Sequence, residues 1–426
     1  MNYVRSIFIL FFFLTLCLAI TDCSSSQKVN QTSNDRLYKK ENNELNAQYT
    51  IYHINDSVSQ LFYDINNEAL IYKRTDTSNY FFSNVRLRVK VNQEDDLDAT
   101  NDTASVLIID RQAEVKIKQL FGSLYFRLKA GSNYHIEVNV YDINKKIKYI
   151  HQLQADKTSK ETRQNFLITN SRNEIFFNSY YKPNDVVYLQ SERNKEKLFA
   201  VDYFNPDFKL APPPFSTETR PRFNYKPDST FSVYSKNNQV ELSLPASGFF
   251  HLKTNDATKE GVTFFIYEAS FPKIKNAEQM ILATRYIMAK KEFDNCMNAT
   301  DKKAAIDQFW LDISGSNERA KSLIKKYYGR IQEANRLFSS FQEGWKTDRG
   351  MIYTVFGAPN KVTKRKNGEL WTYGETGNPN STLFQFTKII NPFTDNDYYL
   401  ERNEMFKLPW YQAVDAWRQG RIYLDN

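Results

Sequence analysis

The sequence predicts a multidomain chain: two antiparallel β-sandwich domains, then an α+β domain with three amphipathic helices and a β-hairpin. Three observations carry this. Short apolar runs alternate at period two from Tyr49 to Pro272, the period changes to 3.6 beyond Pro272, and all five Trp and nine of the thirteen Gly lie after residue 309. At 426 residues the chain exceeds what a single core sustains, about 250–300 residues. A content of 41 % hydrophobic, 15 % aromatic and 25 % charged residues excludes collagenous, mucin-like and largely disordered chains.

The N-terminus sets the expected compartment. Residues 1–22 have the layout of a secretory signal peptide, with Arg5 in a basic head and an apolar stretch from Ile7 to Ile20. That stretch has 14 residues, short of the roughly 20 a spanning helix needs, so cleavage is expected. Cys23-Ser24-Ser25-Ser26 is similar to the lipidation site of bacterial lipoproteins, with Asp22 departing from the small residue usual before the cysteine. An ordinary signal peptide is the alternative. With Cys23 lipidated, Cys296 is the one remaining thiol and no intrachain disulfide can form. Residues 23–47 read as a lipidated flexible tether, polar and rich in Asn and Lys.

Residues 48–158 alternate in Val85-Arg86-Leu87-Arg88-Val89-Lys90-Val91 and in His135-Ile136-Glu137-Val138-Asn139-Val140, the pattern of half-buried strands. Turns such as Lys129-Ala130-Gly131-Ser132-Asn133 recur at the spacing of an immunoglobulin-like sandwich. Residues 159–272 give a second immunoglobulin-like sandwich, with Asp185 to Leu189, Gln239 to Leu244 and Gly261 to Tyr267 as strands. Three successive prolines, Pro212 to Pro214, lack N–H donors and must lie in a loop or at an edge.

In residues 273–426 three stripes follow helical spacing: Met280, Ile281, Thr284, Ile287 and Met288; Ile306, Phe309, Trp310 and Ile313; and Ile324, Tyr327, Tyr328, Ile331, Ala334, Phe338 and Phe341. This part carries 24 Lys+Arg against 18 Asp+Glu, so +6 of the net +8 resides here. The densest motif is Gly344-Trp345-Lys346-Thr347-Asp348-Arg349-Gly350, read as leading into a strand from Met351 to Phe356, a turn at Gly357-Ala358-Pro359-Asn360, and a second strand ending at Trp371-Thr372-Tyr373. With Phe309-Trp310-Leu311 and Tyr327 to Phe338 upstream, and Asn391 to Tyr398 and Trp417 to Arg421 downstream, this region resembles the GWxTD domain of bacterial lipoproteins of the Bacteroidetes type. The resemblance covers roughly the last 150 residues. It implies an exported, lipid-anchored protein and brings no catalytic residues with it.

Thr347 and Asp348 have side chains suited to bonding nearby backbone N–H groups, Arg349 can grip a carboxylate, and Gly350 allows a backbone angle closed to other residues. Together they describe a pinned structural corner. The functional counterpart is a ligand cleft with Trp345 and Trp371 as aromatic faces and Asp348 with Arg349 as polar groups. Glu343, Asp348 and Glu369 are the nearest approach to a glycosidase carboxylate pair, and no catalytic site is assigned on them. Lys361, Lys364, Arg365 and Lys366 are expected at a basic hairpin tip, suited to phospholipid, lipopolysaccharide phosphate or an acidic partner, against a merely solvated tip.

His53, His135, His151 and His251 show no metal-ligand spacing, and no phosphate loop or nucleophile elbow occurs, so neither metal nor cofactor is expected. Ser57, Thr103 and Ser229 sit in Asp-Ser/Thr-aliphatic or similar tripeptides that resemble O-glycosylation acceptors. The compartment disfavours nucleic acid. The expected function is a non-enzymatic accessory or scaffold lipoprotein of the cell envelope, outer-membrane and periplasm-facing, docking a partner complex through its C-terminal domain. The alternative is a glycan- or peptidoglycan-binding lipoprotein using the cleft around Trp345, Asp348 and Trp371. A covered indole would favour the first and an open indole face the second.

Overall fold

The computed structural model describes residues 32–34, 38, 45–94, 96–195, 197–205, 208–218, 223–254, 260–365 and 367–423. The signal segment, Cys23 and most of residues 23–47 lie outside the described residues. The first described strand, β1 (Thr32–Asn34), belongs to a sheet of the C-terminal part.

Next come β2 (Ala47–His53), β3 (Val58–Asn66), β4 (Lys73–Arg74), β5 (Phe81–Gln93), β6 (Asp96–Gln112), β7 (Gln119–Arg127), β8 (Asn133–Asp142) and β9 (Ile147–Asp156). Two antiparallel sheets form, one ordered β2-β3-β7 and the other with β6 and β8 flanking β5 and β9 beyond β8. Alternation decides their faces. Val85, Leu87, Val89 and Val91 of β5 and Ile136, Val138 and Val140 of β8 are buried against Leu61, Tyr63 and Ile65 of β3 and Leu124 and Phe126 of β7. Burial of each such side chain stabilises the fold by about 1.5–3 kcal/mol.

The second β unit comprises β10 (Leu167–Thr169), β11 (Tyr180–Tyr181), β12 (Asp185–Gln190), β13 (Leu198–Phe204), β14 (Ser229–Tyr234), β15 (Gln239–Leu244), β16 (Gly248–Lys253) and β17 (Gly261–Ile266). Its sheets are ordered β10-β12-β15 and β11-β17-β16-β13-β14, with β11 parallel to β17. They share a core that includes Val187, Leu189, Val201, Leu242, Leu252 and Phe264. Pro212 to Pro214 lie outside both sheets, as their missing N–H groups require, and the loop crosses to the C-terminal part: Ala211 N donates to Lys346 O at 3.1 Å and Asn403 N to Pro214 O at 3.1 Å.

The C-terminal part holds six helices among the described residues, not three: α1 (Ala277–Thr284), α2 (Lys290–Asn298), α3 (Lys302–Ser314), α4 (Asn317–Phe338), α5 (Asp348–Phe356) and α6 (Lys407–Arg418). None of them is long and apolar enough to cross a membrane. α2 fully buries only Cys296; its short stripe of Phe293, Cys296 and Met297 packs against the core but is set among charged residues and was not singled out from sequence. α5 was expected as a strand and is a helix because Thr347 caps it; all nine of its residues are buried, which erases any periodicity. The expected hairpin, with Met351–Phe356 as its first strand, is not formed because that segment is α5; β18 (Lys361–Arg365) pairs instead with β19 (Gly368–Tyr373), and the sheet continues through β20 (Thr382–Lys388) and β21 (Tyr398–Leu400).

β1 completes that sheet on its other edge, pairing Thr32 with Lys364 and Asn34 with Val362. Tyr38 follows it into the same domain, its ring 5.1 Å from Phe338 and 5.3 Å from Trp371. The described part of the expected flexible tether is therefore docked rather than free: an extended polar strand satisfies the open edge of β18, and one aromatic side chain anchors it. A dry aromatic seam joins the second β unit to the helices. Phe204, Phe249, Phe265 and Tyr267 pack on Phe341 and Phe393, and the Tyr267 hydroxyl donates to Ser340 O.

A buried polar chain closes the end of the first β unit that faces the second. Lys157 Nζ donates to Leu128 O at 2.9 Å and Ser59 Oγ at 3.1 Å; Ser59 Oγ lies 2.9 Å from His53 Nδ1; His53 Nε2 lies 2.9 Å from Asp156 O. A carbonyl can only accept, so Nε2 carries the proton and Nδ1 accepts from Ser59. Burial pushes the His53 pKa down to about 4, and the Lys157 and Arg193 cations add to the effect. Between pH 4 and 6.5 the unfolded chain holds a proton that the folded chain refuses. This contribution to stability is therefore intact above pH 6.5 and declines toward pH 4, by as much as about 3 kcal/mol. His53→Gln is expected to flatten that slope when urea midpoints are measured from pH 4 to 7; an unchanged slope would place the sensitivity elsewhere.

Candidate functional site

The motif forms a corner between α4 and α5. Gly344 to Lys346 make one 3₁₀ turn, and Thr347 then caps α5, accepting from Gly350 N at 3.1 Å and donating to Gly344 O at 2.7 Å. The expected left-handed role for Gly350 is not observed; Gly350 is helical, and the absent side chain matters instead. A Cβ on Gly350 would sit 1.8 Å from Gly344 O, and one on Gly344 would sit 1.9 Å from Ala334 O. Three backbone segments thus lie in direct contact.

Asp348 and Arg349 leave the corner in two directions. Asp348 accepts from Leu400 N at 2.9 Å and is gripped by both terminal nitrogens of Arg402, whose Nη2 also donates to Pro212 O at 3.0 Å. Arg349 donates to Asn396 O at 3.1 Å and to Asn396 Oδ1, lies 3.6 Å from Glu369 Oε2, and stacks on the Tyr398 ring at 3.7 Å. Glu369 also accepts from Trp371 Nε1 at 2.9 Å and Tyr38 Oη at 2.8 Å. Burial holds the Tyr38 hydroxyl protonated far above its usual range, so it remains a donor.

The expected cleft is not formed. Trp345 is 1 % and Trp371 0 % exposed, so neither indole leaves a face open to a sugar. Trp345 is held at the edge of Tyr286, whose hydroxyl donates to Trp345 O at 3.0 Å, while Asn335 Oδ1 receives the Trp345 backbone N–H at 3.2 Å. The three candidate carboxylates are likewise committed: Glu343 to Lys346, Asp348 to Arg402, and Glu369 to Arg349, Trp371 and Tyr38. Among the described residues no three His, Cys, Asp or Glu gather as metal ligands.

Gly357, at φ +88°, and Pro359 form the turn from α5 into β18 rather than a hairpin turn. The basic group is correspondingly split. Lys364 and Arg365 are exposed beside the tip, Lys361 begins β18 at its far end opposite Thr372, and Lys366 lies outside the described residues. Ser57, Thr103 and Ser229 are all exposed; Ser57 is in a turn, but Thr103 lies within β6 and Ser229 begins β14, where loops were expected.

Four residues that complete the corner were not singled out from sequence. Arg402 and Tyr38 have no local pattern that marks them, and Arg330 falls on a helix face that reads as mixed. The Arg330 guanidinium donates to Val355 O at 3.1 Å and Tyr423 O at 2.7 Å, neutralising the carbonyl end of α5, and a Cβ on Gly357 would meet its Nη2 at 2.7 Å. Asn396 belongs to the Asn391–Tyr398 stretch, whose sequence assigns it no role; its amide donates to Leu337 O at 3.0 Å and Ser339 O at 2.8 Å, so it ties Arg349 to the end of α4. Asn335 and Asn396 also line a cleft of about 880 Å³ where all three parts meet, with Tyr134 and Tyr180 on its other walls.

Two substitutions test the corner as structure. Gly350→Ala is expected to destabilise the domain by more than about 3 kcal/mol, whereas Gly329→Ala in the open middle of α4 should be neutral or gain up to about 1 kcal/mol; denaturant unfolding that ranked the two alike would refute the close-approach argument. Asp348→Asn leaves the buried Arg402 without its counter-charge, and a loss of about 3–5 kcal/mol is expected in the same measurement.

No curated protein matches the chain. The family model described as the GWxTD domain matches residues 248–419. The match begins with β16 rather than near residue 273 and so takes in Phe249 of β16, Phe265 of β17 and Tyr267 just after it, which form one cluster with Phe341 and Phe393. Gly344-Trp345-Lys346-Thr347-Asp348, buried at the centre of that region, is the signature the name describes, and the C-terminal part of this chain is a GWxTD domain.

Proposed function

We propose that the protein is a lipid-anchored, non-enzymatic accessory or scaffold protein of the bacterial cell envelope, of the Bacteroidetes type, that docks a partner complex through its GWxTD domain. One observation carries the docking role. The motif groups are consumed inside the domain, while an apolar row stands open beside them: Met405 in the 3₁₀ turn before α6, and Leu408 and Tyr411 within α6, three residues apart, are 70 %, 67 % and 48 % exposed. The opposite face buries Trp410, Ala413, Val414 and Trp417. An exposed apolar row at the start of a helix whose other face is already buried suits a protein partner.

The two β units suit a rigid support for that surface. Strand orders β2-β3-β7 against β6-β5-β8-β9, and β10-β12-β15 against β11-β17-β16-β13-β14, favour the immunoglobulin-like reading of both. The leader and Cys23 support export to the outer membrane with the body facing the periplasm. The glycan-cleft alternative loses its support, because Trp345, Asp348 and Trp371 are enclosed.

The test is an affinity pull-down of the full-length protein from its own detergent-solubilised envelope, beside Cys23→Ala and the double variant Met405→Asp, Leu408→Asp. The expected result is a stoichiometric envelope partner that the double variant loses at unchanged thermal stability. Recovery of no partner, or of one indifferent to the α6 face, would overturn the proposal.

A further inference from the structure

We infer that the exposed basic tip of the β18–β19 hairpin is a contact for anionic phospholipid headgroups, held against the membrane by the same N-terminal segment that carries the lipid anchor. The inference rests on the reading of Cys23 as lipid-modified and adds to it an orientation: the GWxTD domain, the last domain in sequence, lies nearest the membrane. The two β units then do not stand between anchor and domain as a spacer.

The strand register carries the argument. β1 runs antiparallel to β18 with Thr32 opposite Lys364 and Asn34 opposite Val362. The chain upstream of Thr32 therefore leaves the sheet at the end where Lys364 and Arg365 lie, beside the turn into Gly368. Nine residue steps separate Cys23 from Thr32, which at full extension span at most about 30 Å. An anchor at Cys23 thus confines the tip to a thin layer over the bilayer. Tyr38 keeps that geometry from slipping. Its ring is seated against Phe338 and Trp371, its hydroxyl donates to Glu369, and its carbonyl accepts from Tyr353 Oη at 3.3 Å.

Charge supplies the second, independent observation. Lys364 and Arg365 are exposed, and Lys28 lies in the connecting stretch. Each cation brought to an anionic surface strengthens association about fivefold. Two or three such residues cannot recruit a free protein to a membrane, but on a short tether the encounter is intramolecular and a weak contact is enough to set orientation.

The test uses full-length lipidated protein in vesicles of 70 % phosphatidylcholine and 30 % phosphatidylglycerol doped with an acceptor lipid. A donor dye is placed at Asn367→Cys beside the tip, or at Lys146→Cys in the β8–β9 turn, in a Cys296→Ser background. β2 begins at that end of the first β unit, so a simple tether-and-spacer arrangement would hold Lys146 nearest the bilayer. Energy transfer is expected to be at least about twofold higher from position 367. Lys364→Glu with Arg365→Glu should lower it in these vesicles and leave it unchanged in pure phosphatidylcholine, and Tyr38→Ala should lower it in both. Equal or higher transfer from position 146 would overturn the orientation, and indifference to the charge reversal would overturn the headgroup contact. Mass spectrometry of the same sample separates the underlying reading: an unmodified Cys23 with protein absent from the vesicles would overturn the anchor, and the orientation with it.

Discussion

Direct contact between backbones, with no side chain interposed, organises the C-terminal domain. Gly344 lies on the Ala334 carbonyl and Gly350 on the Gly344 carbonyl, so the end of α4, the 3₁₀ turn and the start of α5 are stacked at a separation that any Cβ would break. From that stack the motif side chains can reach only fixed partners. Thr347 turns back to close the turn, Asp348 reaches β21 and the proline loop through Arg402, and Arg349 reaches the 391–397 loop and β19. The proline loop, β19 and the 391–402 stretch are thereby referred to a single corner.

The charges at that corner have a different role from the apolar core around them. Asp348 with Arg402, and Arg349 with Glu369, are almost fully buried pairs whose desolvation offsets most of their attraction. Trp310, Trp345, Trp371 and Trp417, all nearly inaccessible, account for cohesion. What the ion pairs contribute is selectivity. A domain of helices and a sheet with exchangeable aromatic contacts admits near-equivalent packings, and each buried guanidinium meets its carboxylate in only one of them. Asn396 and Asn335 extend that selectivity to the wall of the central cleft.

How much of this was legible follows from how local each signal is. Period-two alternation marked β5 and β8, whose inner and outer residues differ sharply, and the motif marked the corner because glycine, threonine and aspartate at fixed offsets state a cap and a close approach. Periodicity was silent for α5, since a helix buried on every side alternates nothing, and weak for α2, whose stripe is only Phe293, Cys296 and Met297. Composition misplaced the described part of the segment before Leu45: Thr32–Asn34 pair through the backbone of β1, which any side chain permits, and Tyr38 finds its pocket in residues three hundred or more positions away. Trp345 and Trp371 read first as parts of a structural corner and second as faces of a ligand cleft, because an indole's partners are not written near it.

The Tyr38–Glu369 bond spans 331 positions and joins the first described residues to the last domain. Loop-closure entropy rises only logarithmically with length, and β units that fold first shorten the free chain further, so the thermodynamic penalty of such a junction is modest. Its consequence is temporal. A chain emerging N-terminus first presents β1 and Tyr38 at the outset, yet the edge of β18 and the pocket of Phe338, Trp371 and Glu369 exist only when nearly all of the sequence is available. The earliest segment is the last to be placed, and its seating marks a completed molecule.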